Sequence, residues 1–188
     1  MDISSVLEFW FRPQPGQPLA VREAWFRKSD AFDAEIRERF GRTLEAALAG
    51  ELDGWSSTVE GARALILVLD QFTRNAFRGT PRSFAGDAKA LALAHGLVRA
   101  GDARACTPVE RWFIYMPFEH SESLIDQYES VRLFRSLAAD GLDAPLEWAQ
   151  KHCDVIRRFG RFPHRNEILG RSSTAAEIAF LQQPGSRF

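Results

Sequence analysis

Cysteine is nearly absent from this 188-residue chain: Cys106 and Cys153 are its two examples, far apart and in no CxxC spacing. That excludes a disulfide framework, a cysteine-rich structural zinc site and a thioredoxin-type motif, and it fits a reduced compartment. Lysine is scarce too; only Lys28, Lys89 and Lys151 stand among 24 basic residues, so the cationic chemistry is almost all guanidinium. Neither sign of charge is in excess. A formal net charge of −1 gives no global attraction to nucleic acid or to an anionic membrane, and neither is an expected partner. No run approaches the roughly 18 consecutive apolar residues of a membrane span. The first ten residues have no basic flank and are interrupted by Glu8, which argues against a signal peptide. A cytoplasmic location is the expectation. Missing as well are a GxSxG elbow, a glycine-rich phosphate loop, an HExxH pair and the CxxC of a zinc deaminase, so neither metal nor cofactor is expected.

What remains is the composition of a folded domain, 45% hydrophobic and 26% charged. A chain of this length removes roughly 70% of its unfolded surface from water without cross-links. One domain over residues 1–188 is expected. The proline-rich loop from Arg12 to Pro18 comes too early to divide it, and no repeat or low-complexity tract is present.

The apolar pattern is helical throughout, with no period-two alternation. Phe32, Ile36, Phe40, Leu44 and Leu48 recur every fourth residue between the cap candidates Ser29 and Asp30 and a closing Gly50. Ser57-Thr58-Val59-Glu60 reads as a capping box opening a second helix that is apolar nearly all round, and therefore central. A third runs from about Ser83 or Asp87 to Gly101. Thr107-Pro108-Val109-Glu110 caps a fourth, which Pro117 is expected to end or kink. Further helices are expected from about Ser121, from Asp143-Ala144-Pro145 to Gly160, and from Thr174 onward. The fold class is all-α, with about seven antiparallel helices joined by short loops.

Three segments carry candidate chemistry. In Asp70-Gln71-Phe72-Thr73-Arg74-Asn75-Ala76-Phe77-Arg78 the central helix turns polar; Asp70 and Arg74 lie four apart on one face, with Arg78 a turn beyond. Charges entering from a core need partners or a ligand. Met116-Pro117-Phe118-Glu119-His120-Ser121-Glu122 places two carboxylates and a histidine at a helix junction. Capping accounts for them structurally; as catalysts, His120 would move a proton with Glu119 or Glu122 orienting it. The third, Arg158-Phe159-Gly160-Arg161-Phe162-Pro163-His164-Arg165-Asn166, puts cations among ring faces. From Arg157 to Arg171 five arginines and His164 face one acid, Glu167. Its anions could be Asp70, Glu119 and Glu122 of the same chain, a phosphate or carboxylate held by Arg161 and Arg165, or a partner protein. His95 and His152, on helix faces, read as core or surface residues.

Together with Val6-Leu7-Glu8-Phe9-Trp10-Phe11, these segments closely resemble the bacterial domain-of-unknown-function family 924, from the first helix to Phe180-Leu181. The resemblance implies a small cytoplasmic protein with a tetratricopeptide-like fold of helical hairpins, and it implies no activity. Thr73 departs from the proline it leads one to expect.

Two functions are open. A small-molecule binder or enzyme would hold an anionic group with Asp70, Arg74, Asn75, Arg78, Arg161, Arg165 and Asn166, using His120, Glu119, Glu122 or His164 for proton transfer. An interaction module would offer a groove between helices to a peptide partner, with the polar cluster as internal cement.

Overall fold

In the computed structural model, residues 2–186 are described; Met1, Arg187 and Phe188, the ends of the expected domain, lie outside them. Among the described residues the regular structure is entirely helical. Its α-helices are α1 (Ile3–Phe11), α2 (Asp30–Ala49), α3 (Val59–Ile66), α4 (Thr73–Ala76), α5 (Asp87–Ala100), α6 (Pro108–His120), α7 (Leu124–Ala139), α8 (Ala144–Phe159) and α9 (Ala175–Leu181). None of them is long and apolar enough to cross a membrane.

The caps lie close to where local chemistry puts them. Ser29 accepts the Phe32 N–H to open α2, and Gly50, at φ 87°, closes it in the left-handed conformation that glycine adopts without strain. Thr107 with Glu110, and Thr174 with Glu177, form reciprocal capping boxes. The α3 cap is Thr58, one residue beyond the expected Ser57, and it accepts from Gly61. Helix α5 begins at Asp87 after a 3-10 turn, Pro81–Phe84, while α7 begins at Leu124 on a Ser123 cap, three residues beyond the expected start.

Pro117 neither ends nor splits α6, which continues to His120. Proline in a helix costs about 3 kcal/mol. Here Trp112 through Glu119 are all buried, and that burial, at about 25 cal/mol per Å² of apolar area, outweighs the lost backbone bond.

Between α3 and α4 the chain remains helical but widens into a π segment, Leu67–Phe72, buried at every position. The Thr73 N–H donates to the Val68 carbonyl five residues back, and the Thr73 hydroxyl donates to the Leu69 carbonyl at 2.7 Å. Such widenings are rare and concentrate at functional sites. This one carries Asp70.

The main core wraps this rod. Phe9, Trp10, Phe40, Phe72 and Phe113 meet in tilted and edge contacts of 4.9–5.8 Å. Helix α3 packs against α1, α5 and α6, and α7 pairs with both α6 and α8. A smaller core, Val155, Ile156 and Phe162 with Phe159 and Phe180, gathers the C-terminal segment. The polar segments meet at the seam between the two cores. A tetratricopeptide-like stacking of successive hairpins is not established by this packing.

Candidate functional site

At the seam, Asp70 is fully buried and its Oδ1 lies 2.7 Å from His120 Nδ1. The adjoining Gln71 donates to the other oxygen at 2.6 Å, and Arg74 Nη1 lies 3.1 Å from Oδ1. Burial opposes ionisation of Asp70, but Arg74 and His120 together outweigh it and hold the carboxyl well below the usual carboxylate range. An ionised Asp70 requires the proton on His120 Nδ1, which leaves Nε2 as a lone-pair acceptor. Burial and the Arg74 cation lower the His120 pKa against the pull of Asp70. The imidazole is therefore neutral and held in one orientation by Asp70.

Two guanidinium groups flank it. Arg74 forks onto Asp87 at 2.7 and 3.0 Å. Arg165, only 7% exposed, donates to the His120 carbonyl at 3.0 Å and reaches Asp87 at 3.4 Å. Its charge lies 4.7 Å from the Phe84 ring centre and 4.5 Å from that of Phe162. Burial, then the neighbouring Arg74, pull its pKa down to about 10. The Arg165 Nε is buried without a hydrogen-bond partner.

Behind His120 lies a drier layer. Glu119 and His152 are both buried, with Oε1 3.1 Å from His152 Nδ1, which also faces the Trp148 carbonyl at 2.9 Å. Burial, reinforced by the negative Asp70 nearby, raises the Glu119 pKa to about 8, so this carboxyl is protonated at neutral pH. Burial lowers His152 to about 3; burial and then Arg165 lower His164 to about 3 as well. Both rings are neutral.

The structure thus brings together Asp70, Arg74, Glu119, His120, His164 and Arg165. It commits the other expected residues elsewhere. Arg161 forks onto Glu177 at 2.6 and 2.8 Å and donates to the Ser172 carbonyl, which fastens the start of α9 rather than pairing with Asp70, Glu119 or Glu122. Arg78 forks onto Asp33 of α2 at 2.7 and 2.9 Å and also meets Asn75. Asn75 donates back to the Gln71 carbonyl. Glu122 accepts the Phe162 N–H and a two-armed contact from Arg171. Asn166, fully buried, bridges Arg171 and Ser173.

Sequence reasoning missed two members. Asp87 reads in sequence only as a helix start, and nothing local connects it to arginines 13 and 78 residues away. His152 shares its helix face with Cys153 and Ile156, and only the approach of Glu119 distinguishes it from a core histidine. Among the described residues no group of three or more His, Cys, Asp or Glu side chains is arranged to hold a metal ion.

Comparison with curated proteins gave no match. A solved structure of a protein of unknown function from Agrobacterium tumefaciens is 38% identical, superposes with a TM-score of 0.84, and aligns over 96% of this chain and 96% of its own. The family model described as "Bacterial protein of unknown function (DUF924)" matches residues 6–185; the chain belongs to that family.

Proposed function

We propose that the seam is a small-molecule site in which His120, held by Asp70, transfers a proton to and from an anionic ligand bound beside Arg165. The observation that carries this reading is the 2.7 Å contact between a fully buried Asp70 and His120 Nδ1. A carboxylate so placed fixes one tautomer and leaves the other ring nitrogen's lone pair as the acceptor for a ligand proton. In the forward step Nε2 takes a proton from the ligand; the imidazolium formed is stabilised by Asp70 and returns that proton in the second step. Neutral Glu119 contributes no negative charge that would raise the basicity of His120 further.

A purely structural cluster would pair its charges fully. Arg165 departs from that in its long, 3.4 Å contact to Asp87; its unpartnered Nε it shares with Arg63 and Arg111. Thermal unfolding with and without a panel of phosphates and carboxylates tests the reading. Ligand-induced stabilisation should follow RT ln(1 + [L]/Kd) and vanish in Arg165→Lys. His120→Gln should keep binding but lose exchange of ligand protons with deuterated solvent. If no ligand shifts the wild type, while Arg165→Lys and His120→Gln cost several kcal/mol, the cluster is cement.

The interaction-module alternative draws on Ile125 and Tyr128, which are 81% and 55% exposed one turn apart on α7. Exposed apolar side chains at helical spacing suit a partner helix or peptide.

A further inference from the structure

We infer that Asp87 is a built-in counter-carboxylate, displaced from Arg165 and Arg74 by the ligand's own carboxylate, so that the site takes small carboxylic acids. The inference rests on the ligand-site reading above and names its substrate class and its closed state.

Three features carry it. First, the two-guanidinium cradle already holds a carboxylate. Asp87 meets Arg74 with both oxygens, Oδ1 at 2.7 Å and Oδ2 at 3.0 Å, in the planar two-armed pairing that matches this group. A tetrahedral phosphate would leave further oxygens facing Phe84 and Phe162, the rings that flank Arg165. Second, the occupant fits only one of the arginines. Asp87 Oδ2 is 3.4 Å from Arg165 Nη1, at the limit of a hydrogen bond, and Arg165 Nε is buried without an acceptor. A buried donor without a partner costs about 1–3 kcal/mol. A ligand carboxylate freed from the α5 backbone can sit nearer Arg165 than Asp87 does.

Third, Asp87 can leave while its backbone stays. A Cβ built on Gly86 would fall 2.1 Å from the Leu69 carbonyl oxygen, so the entrance to α5 lies directly on the π segment and its main chain is fixed. The Asp87 side chain is 22% exposed. Rotation about its own Cα–Cβ bond takes it into water. There the first turn of α5 still favours a negative charge. The exchange conserves charge, one carboxylate for another, so Arg74 is never left unpaired. It also brings the ligand beside His120, whose carbonyl Arg165 holds at 3.0 Å.

The test is calorimetric titration of formate, acetate, succinate and inorganic phosphate into the wild type, Asp87→Ala, Asp87→Asn and Arg165→Lys. The affinity of a self-occupied site is reduced by the fraction of time it is open. Acetate should therefore bind Asp87→Asn and Asp87→Ala about tenfold or more tightly than the wild type, and should not bind Arg165→Lys. Asp87→Asn keeps an oxygen facing Arg74 and serves if the alanine variant does not fold; if it does fold, formate should restore part of its lost Tm. If the wild type binds carboxylates through Arg165 but neither Asp87 variant binds them more tightly, the gate is refuted and the ligand site stands. If inorganic phosphate outcompetes acetate in Asp87→Asn, the carboxylate class is wrong. Failure of all four probes to bind the wild type and both Asp87 variants overturns this inference and the ligand-site reading together.

Discussion

Glu119 and His152 are the residues whose protonation differs most usefully between the folded and unfolded chain. The folded Glu119 keeps its proton up to about pH 8, whereas an unfolded glutamate releases it near 4.5. Between those values the native state binds more protons, so stability falls as pH rises. His152 and His164 behave oppositely. Each takes a proton near 6.5 when unfolded and near 3 when folded, so stability falls as pH drops through that window. Stability should therefore peak near neutrality, with two histidines steepening the acid side and one carboxyl setting the alkaline decline. Glu119→Gln should flatten the decline between neutrality and pH 8, steepen the loss of stability as pH drops from neutrality to about 4.5, and leave the slope below that unchanged. Denaturant unfolding across pH 3–9 measures this; an unaltered alkaline slope in the variant would contradict a neutral Glu119.

At the scale of elements, the contact between the π segment and the start of α5 sets the site's geometry. Gly86 is tight against Leu69 backbone, which cannot yield as a flexible side chain would. Gly86→Ala should cost about 2–4 kcal/mol and should loosen the Arg74 to Asp87 pairing. Gly96→Ala is the control, since its added Cβ meets nothing within 4 Å; inside α5 it should be neutral or stabilising by up to about 1 kcal/mol. Equal effects of the two substitutions on the urea midpoint would remove the argument that backbone contact fixes Asp87.

For the molecule as a whole, the C-terminal segment forms its own small core and is fastened to the rest by few polar contacts. Glu122 supplies three of them, one from the Phe162 N–H and two from Arg171. Glu122→Ala should cost about 1–3 kcal/mol. The loss should be local, with faster amide exchange across 160–186 and little change in α2 or α3. Uniform loss of protection would mean that the two cores unfold as one unit.

The chain by itself determined the helices and most of their ends, because a cap or an apolar repeat acts within a few residues. Ser29, Thr107, Thr174, Gly50 and Gly160 needed no distant information. Pro117 did not end its helix, for the converse reason: its local penalty is fixed, but whether a helix continues through it depends on what buries the flanking turns. The charged segments were legible as chemistry and not as geometry. Asp70, Arg74, His120 and Arg165 do converge, yet Arg161 and Arg78 look the same in sequence and serve Glu177 and Asp33 instead. Only tertiary structure assigns partners to guanidinium groups, since ion pairing depends on distance and burial in space. It gave Glu122 to Arg171 of the cationic turn, as one of the expected anions, and added Asp87 between Arg74 and Arg165, through a backbone approach that glycine permits. The sequence determined that this protein would gather buried charge beside aromatic rings; the fold decided which carboxylate each arginine met, and left Arg165 with a 3.4 Å contact to Asp87.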